Sequence, residues 1–394
     1  MGSRGTVPLR LRHQTRWSAG LLFAPWWSAL LFYWSADSLK PVILLALLPG
    51  LAVAVHIQQR LTRHLSANHG GGESNHIFPT LGGANWTTLL RAAAIVGLAG
   101  FLPLSILRIQ GLPAILTWVP GFLYLGACMA DLLDGFLARR QGRETELGKL
   151  LDIETDAAGL MTASLVAVAF GRLPALYLLA GLAYYPFALG IRVRRKRGLP
   201  VIPLQSRPYA RIIAGFQMGL VGTALLPVIH PAFTFIAAYI FMAPLLIGFL
   251  RDWLVVSGRV RTDAYQQSIM DHWARQWIKR GLPLGLRLVI LAAGVGVFAG
   301  FGMSQTHPAL RMAHGFCCLM AGFGFMGRTA ALCLVFMLCR DPLQFETSMI
   351  SMAHFCAAVA LMMTGSGVMS LWAPEERFLY RRKDNVLKVN CQTP

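Results

Sequence analysis

The chain has 394 residues and a net charge of +19, yet 55% of its residues are hydrophobic and only 13% are charged. Soluble domains carry roughly 25% charged residues, so this composition excludes an ordinary soluble protein. Several apolar runs of about 18 to 20 residues are long enough to cross a bilayer as helices, and the predicted fold class is an all-α, polytopic membrane protein.

The excess of basic residues does not indicate a nucleic-acid partner. The 36 Lys and Arg lie mainly in loops between apolar runs, where such residues orient helices and contact anionic lipid headgroups. The seven cysteines include no Cys-x-x-Cys pair, and all but Cys391 fall in apolar runs. Their pattern therefore indicates neither a disulfide framework nor a zinc site.

In chain order, the apolar runs divide into three sections. Residues 1–80 hold two candidate spans and a polar linker, and residues 81–256 hold six spans. Residues 257–394 begin with "DAYQQSIMDHWARQWIKR", which is expected to form a helix lying in the membrane surface, and continue with about four spans. The candidate spans are 18–35, 41–57, 91–108, 112–133, 155–171, 174–192, 212–229, 231–250, 285–303, 309–326, 328–340 and 347–371.

The positions of the basic residues predict the topology. Arg4, Arg10, Arg12 and Arg16 precede the first span, and the even-numbered loops are the basic ones. By the positive-inside rule, both termini and these loops lie in the cytosol.

One of these loops joins two helix ends that are rich in acids. The stretch "DLLDGFLARRQGRETELGKLLDIETD", residues 131–156, holds seven of the 17 acidic residues of the chain. Asp131 and Asp134 are spaced i, i+3, and Asp152 and Asp156 are spaced i, i+4, so each pair shares a helix face. If the two helices are antiparallel, four carboxylates meet near the cytosolic surface. Such a group favours divalent cations, and two ions there suit a phosphoryl displacement.

The residues between the acids are consistent with a phosphate ligand. Gly135 has no side chain, so a ligand can approach the helix backbone closely. Ala138 lies four residues after Asp134 and keeps the same face narrow. Arg139 supplies a planar guanidinium that binds phosphate.

The spacing Asp131-x2-Asp134-Gly135-x2-Ala138-Arg139-x8-Gly148-x3-Asp152-x3-Asp156 resembles the signature of the CDP-alcohol phosphatidyltransferases at all eight defined positions. Two flanking segments are similar to further family segments. One is "NWTTLLR", with Asn85, Thr88 and Arg91, and the other is "SRPYARIIAGFQM", with Arg207, Arg211 and Gln217.

The resemblance implies a six-helix catalytic core in residues 81–256. Such a core moves a phosphoalcohol group from a CDP-alcohol, usually CDP-diacylglycerol, to an acceptor hydroxyl and releases CMP. It also implies two divalent cations, Mg²⁺ or Mn²⁺, and a homodimer. The implied metal ligands are Asp131, Asp134, Asp152 and Asp156, and Asp156 is also the implied general base. The residues implied to form the CDP pocket are Gly135, Ala138, Arg139, Gly148, Asn85 and Thr88. The residues implied to bind the acceptor are Arg91, Arg207 and Arg211.

The basic cytosolic mouth favours an anionic acceptor such as glycerol 3-phosphate or inositol phosphate, although membrane binding also explains these charges. In phosphatidylglycerophosphate synthases of the family, Pro-Val-Ala-Asp often follows the third aspartate. This chain has "DIETD" there, which argues against that subtype.

Other interpretations remain open. The aspartates would line an ion path in a transporter, but carriers place such groups near mid-membrane in broken helices, not at span ends. Glu144, Glu146 and Glu154 are expected to be solvated. His314 and His354 lie in apolar spans, where packing is the simpler role and a haem or quinone contact is the alternative. The C-terminal bundle, 257–394, faintly resembles the DoxX-like membrane family and is otherwise a candidate partner-binding module.

Overall fold

The computed structural model describes residues 7–35, 41–70, 77–107, 114–141, 145–204, 208–260, 281–296, 308–339, 348–367 and 369–375. These residues form helices joined by short loops, and none of them is in a strand, so the predicted all-α class is confirmed. Each of the twelve candidate spans contains helix. The helices are α1 Leu9–Ser35, α2 Pro41–Arg63, α3 Gly83–Ala99, α4 Leu102–Leu107, α5 Ala114–Gln141, α6 Glu146–Ala169, α7 Leu178–Leu182, α8 Tyr184–Lys196, α9 Pro208–Ala224, α10 Pro231–Val256, α11 Leu282–Gly296, α12 Pro308–Phe323, α13 Gly327–Leu338 and α14 Met349–Thr364.

Several helices have the length and composition of membrane spans. Pro41–Arg63, Gly83–Ser105 and Pro231–Val256 meet both criteria, and a pair of helices that bends by 42° near Ala183 is a fourth span if it is counted as one. Large apolar side chains such as Leu45 and Ile247 point outward from these helices and are more than half exposed. A lipid environment removes the cost of that exposure, so the chain is an integral membrane protein.

Helix α6 begins earlier than hydropathy predicts. It starts nine residues before the candidate span 155–171 and ends at Ala169. Thr145 caps this helix, since its side chain accepts a hydrogen bond from the Gly148 backbone N–H at 3.0 Å. Hydropathy marks where lipid contact begins, whereas the cap marks where helical hydrogen bonding begins. The aspartates of this segment therefore lie within a helix.

The chain divides into two compact units: residues 1–189 with 217–229, and residues 190–216 with 230–394. In the first unit, α1, α2, α5 and α6 pack against or near α3. Leu22 of α1, Ala54 of α2, Leu89 of α3 and Leu151 of α6 belong to one buried cluster. The two N-terminal helices thus share a hydrophobic core with α3 and with α6, which carries the second half of the acidic motif.

The second unit contains the C-terminal helices, whose core includes Ile290, Ala331 and Leu361. Two buried arginines join the helix ends. Arg287 Nε donates to the Gly322 carbonyl at 2.8 Å, and Arg328 Nη1 donates to the Met362 carbonyl at 2.7 Å. Both carbonyls lie near helix C-termini, where positive charge is stabilised. The predicted interfacial helix falls largely in 261–280, outside the described residues.

Candidate active site

Three of the four predicted metal ligands converge in the first unit. Asp131 lies on α5, and Asp152 and Asp156 lie one turn apart on α6. A carboxylate oxygen from each lies within 4.8 Å of the others. Their side chains are 32%, 42% and 34% exposed, respectively, so the group is half-buried and still open to a ligand.

The guanidinium of Arg91 lies among these three carboxylates. Its Nη1 is 2.9 Å from Asp131 Oδ1 and 2.8 Å from Asp152 Oδ1, and its Nη2 pairs with Asp156 Oδ1. The Arg91 side chain is only 3% exposed, because α3 packs against both α5 and α6. The structure thus places this residue, predicted to bind the acceptor, at the centre of the predicted metal site.

The charge and chemistry of the group fit divalent cations. When ionised, the three carboxylates carry three negative charges and Arg91 carries one positive charge. The group therefore has a net charge of −2. Carboxylate oxygens are the ligands that Mg²⁺ and Mn²⁺ prefer. The guanidinium shows that the three acids can surround a common cation.

The remaining residues of the "NWTTLLR" segment lie on the same helix as Arg91. Asn85, Thr88 and Arg91 are spaced i, i+3, i+6, and all three are buried. Thr88 Oγ1 donates to the Ala84 carbonyl at 3.0 Å. This spacing aligns the segment along one face of α3, the face that packs toward the acidic helices.

Gly148 brings the two motif segments into contact. A Cβ at this position would lie 2.7 Å from Asn85 Oδ1 and 3.1 Å from Thr145 Oγ1. The first distance is shorter than any ordinary carbon contact, so a side chain here would force Asn85 or the α6 N-terminus to shift. The glycine of the signature therefore permits the close approach of α6 to Asn85 of α3.

The other predicted site residues are only partly described. Asp134, Gly135, Ala138 and Arg139 lie on α5, and their side chains are outside the described part of the chain. Arg211 lies on α9 and its side chain is likewise outside it. Arg207 falls among the residues that are not described.

The expectation that Glu154 is solvated is wrong. Its side chain is 7% exposed, and its Oε1 lies 2.8 Å from Arg60 Nη2, while its Oε2 lies 2.8 Å from His56 Nε2. Both partners lie on α2, nearly one hundred residues away in sequence. Glu154 is off the Asp152 and Asp156 face, as its spacing predicts, but that second face packs against a helix and not against water.

Glu146, in contrast, is exposed as expected. Lys149 Nζ donates to Glu146 Oε1 at 2.9 Å, and this hydrogen bond lowers the pKa of the Glu146 carboxyl below its usual value. The two side chains are 57% and 45% exposed, and such a surface pair contributes little to stability. This pair provides a charged control close to the acidic group.

Comparison with known proteins identifies one matching family. Residues 81–250 match the model of the family described as CDP-alcohol phosphatidyltransferase, and this segment contains every position of the acidic motif and Arg91. No curated protein and no solved structure matched the chain. No finding in the described residues favours the transporter alternative. The prediction of a CDP-alcohol phosphatidyltransferase core is therefore confirmed for residues 81–250; the members of this family are phosphotransferase enzymes that transfer a phosphatidyl group from a CDP-alcohol to an alcohol acceptor.

Proposed function

We propose that this enzyme transfers the phosphatidyl group of CDP-diacylglycerol to the hydroxyl of a polar, phosphorylated alcohol. The observation that carries the proposal is the convergence of Asp131, Asp152 and Asp156 around the buried Arg91. This half-buried group has excess negative charge, so it can hold cations. The cations would neutralise the carboxylates and stabilise the negative charge of a diphosphate electrostatically.

The four aspartates of the motif, including Asp134, are the proposed ligands of two divalent cations, Mg²⁺ or Mn²⁺. When bound, the two cations supply positive charge that polarises the donor diphosphate and neutralises the departing CMP. The excess of two negative charges left after Arg91 is counted supports this assignment.

Asp156 is the proposed general base. Its carboxylate takes the proton of the acceptor hydroxyl as that oxygen bonds to the phosphorus next to diacylglycerol. The phosphoanhydride P–O bond to CMP breaks in the same displacement. The side chain is one-third exposed, which leaves it accessible to an acceptor.

The proposal of an anionic acceptor is supported by Arg91, because a guanidinium binds phosphate. In the structure this guanidinium pairs with three carboxylates. A phosphate that binds Arg91 therefore replaces some of these carboxylate contacts. We propose that Arg207 and Arg211 also bind the acceptor, and that Gly135, Ala138, Arg139, Gly148, Asn85 and Thr88 form the CDP pocket.

We also propose that the site faces the cytosol, together with both termini. The arginines that precede the first span and the basic even-numbered loops support this orientation. CDP-linked lipids and polar acceptors are both supplied from that side.

The test uses purified full-length protein in detergent, CDP-diacylglycerol labelled in its cytidine, and a panel of alcohols. We expect labelled CMP and a new phospholipid, identified by mass, with Mg²⁺ or Mn²⁺ and a phosphorylated alcohol, and neither product with EDTA. Asp152→Asn should abolish release, whereas Glu146→Gln removes an exposed acid from the same helix and should not. CMP release that persists in EDTA would overturn the metal-dependent mechanism.

A further inference from the structure

The second unit contains a buried cluster of three side chains that the transferase reaction does not use. His314 and Cys318 lie one turn apart on α12, and His354 lies on α14. Their exposures are 0%, 5% and 0%. Cys318 Sγ is 3.8 Å from His314 Nδ1 and 3.7 Å from His354 Nε2, and one ligand atom from each residue lies within 4.8 Å of the other two.

Simple packing leaves these imidazoles poorly satisfied. Each ring faces the same sulfur, a weak hydrogen-bonding partner. Among the described residues, the opposite ring atoms, His314 Nε2 and His354 Nδ1, are buried and have no hydrogen-bond partner. Buried polar side chains are normally hydrogen-bonded, so two under-satisfied rings around one thiol need another explanation.

Gly294 of α11 gives the sulfur its space. A Cβ at this position would lie 2.8 Å from Cys318 Sγ and 3.7 Å from His354 Cε1. A third helix therefore approaches the cluster without a side chain, which leaves the sulfur and both facing nitrogens directed toward one another.

We propose that His314, Cys318 and His354 bind one Cu(I) ion. Thiolate and imidazole are ligands of soft and borderline transition metals, and carboxylate-preferring ions are excluded by the donor set. With a metal–sulfur distance of about 2.3 Å and a metal–nitrogen distance of about 2.0 Å, trigonal ligands lie about 3.7 Å apart and tetrahedral ones about 3.5 Å apart. The sulfur–nitrogen separations of 3.7 and 3.8 Å are close to both values, so these ligand atoms are spaced for a single metal ion.

Charge selects Cu(I) over Zn²⁺. One thiolate and two neutral imidazoles around Cu(I) have no net charge, whereas the same ligands around Zn²⁺ leave one positive charge. A buried, unpaired charge is strongly disfavoured. The buried arginines of this unit, Arg287 and Arg328, add positive charge, and among the described residues no carboxylate joins the three side chains of the cluster. Structural zinc sites have four protein ligands, whereas this cluster brings three together among the described residues.

Binding replaces the thiol proton with the metal. Cu(I) forms a bond to Cys318 sulfur, the S–H proton is released to solvent, and each imidazole donates a lone pair from the nitrogen that faces the sulfur. No electron is transferred, so the site needs no oxidant or reductant beyond conditions that keep copper as Cu(I).

The test measures Cu(I) affinity of the full-length protein in detergent, without oxygen, in competition with a chromophoric Cu(I) chelator. We expect one tightly held Cu(I) per chain, with a sulfur neighbour in X-ray absorption. Cys318→Ser and His354→Gln should each weaken binding by at least about 100-fold. Cys317→Ser is the matched control, because Cys317 is adjacent, similarly buried and not part of the three-residue cluster.

Gly294→Ala provides a variant that keeps all three ligands. Its new methyl group crowds the sulfur, so we expect weaker Cu(I) binding with an unchanged thiol count. Circular dichroism establishes that each variant is folded. The proposal is overturned if the wild type binds Cu(I) no more tightly than folded Cys318→Ser, if Cys317→Ser loses binding equally, or if the purified protein carries stoichiometric zinc at these residues.

Discussion

Arg91→Met removes the cation that the three aspartates share and keeps a side chain of similar length. An exposed ion pair contributes about 0.2–1 kcal/mol, whereas loss of one partner from a buried pair costs about 3–5 kcal/mol. The three carboxylates are 32–42% exposed, so we assign each pair about 0.7 kcal/mol after solvent screening, or about 2 kcal/mol in total.

This loss of stabilising free energy should lower the midpoint temperature of thermal unfolding, measured in EDTA. The first unit contains about 200 residues, a size for which 1 kcal/mol shifts the midpoint by about 2–4 °C. We therefore expect Arg91→Met to unfold about 4–8 °C below the wild type, as followed by intrinsic tryptophan fluorescence.

Divalent cations should restore most of the thermal stability that Arg91→Met loses. Mn²⁺ would neutralise the carboxylates of Arg91→Met directly, whereas in the wild type it must compete with the guanidinium. The midpoint should thus rise more with Mn²⁺ in the variant than in the wild type. Lys149→Gln is the control, since it removes one positive charge from an exposed pair. It should change neither the unfolding midpoint in EDTA nor the rise of that midpoint with Mn²⁺.

Two results would refute this reasoning. One is an Arg91→Met protein as stable as the wild type in EDTA. The other is an equal response of both proteins to Mn²⁺, which would mean that the guanidinium does not occupy the position of a cation.

Three further predictions follow from the contacts of α6. Asp156→Asn should fold normally and release CMP at least about 100-fold more slowly, because the proposed base is lost; wild-type turnover would disprove the assignment. Gly148→Ala should lower the free energy of unfolding by about 1–3 kcal/mol and reduce activity, since the new Cβ meets Asn85. Gly126→Ala, where a Cβ meets nothing within 4 Å, should be neutral or slightly stabilising. A double-mutant cycle of Glu154→Gln and Arg60→Gln, read by chemical unfolding, should give a coupling energy of about 1–2 kcal/mol, and strict additivity would show that the ion pair contributes nothing.

The sequence was sufficient to predict where Asp131, Asp152 and Asp156 meet. Helical periodicity gives the shared face of Asp152 and Asp156, and the polar loop between two apolar runs indicates that the helices reverse direction. Side-chain spacing within one helix is a local property, so it can be read without knowledge of the fold.

The position of Arg91 and the burial of Glu154 were not predictable in this way. The sequence associates Arg91 with phosphate, whereas in the structure its guanidinium pairs with three carboxylates. Helical spacing places Glu154 off the Asp152 face, and only the tertiary packing of α2 against α6 shows that Arg60 and His56 cover it.

The buried His–Cys–His cluster was missed for a related reason. Cys318 and His354 are 36 residues apart on different helices, and metal sites are recognised in sequences mainly by short spacings such as Cys-x-x-Cys. The i, i+4 pair of His314 and Cys318 is a local signal, but it is complete only when α14 packs beside α12.

The central claim is that the facing ends of α5 and α6 hold divalent cations for a nucleotide diphosphate. The most direct measurement is the number of Mn²⁺ ions bound per chain in the presence of CDP, obtained from the electron paramagnetic resonance signal of free Mn²⁺. We predict about two ions in the wild type and in Glu146→Gln, with loss of binding in Asp152→Asn. Equal Mn²⁺ binding by the wild type and Asp152→Asn would contradict the account.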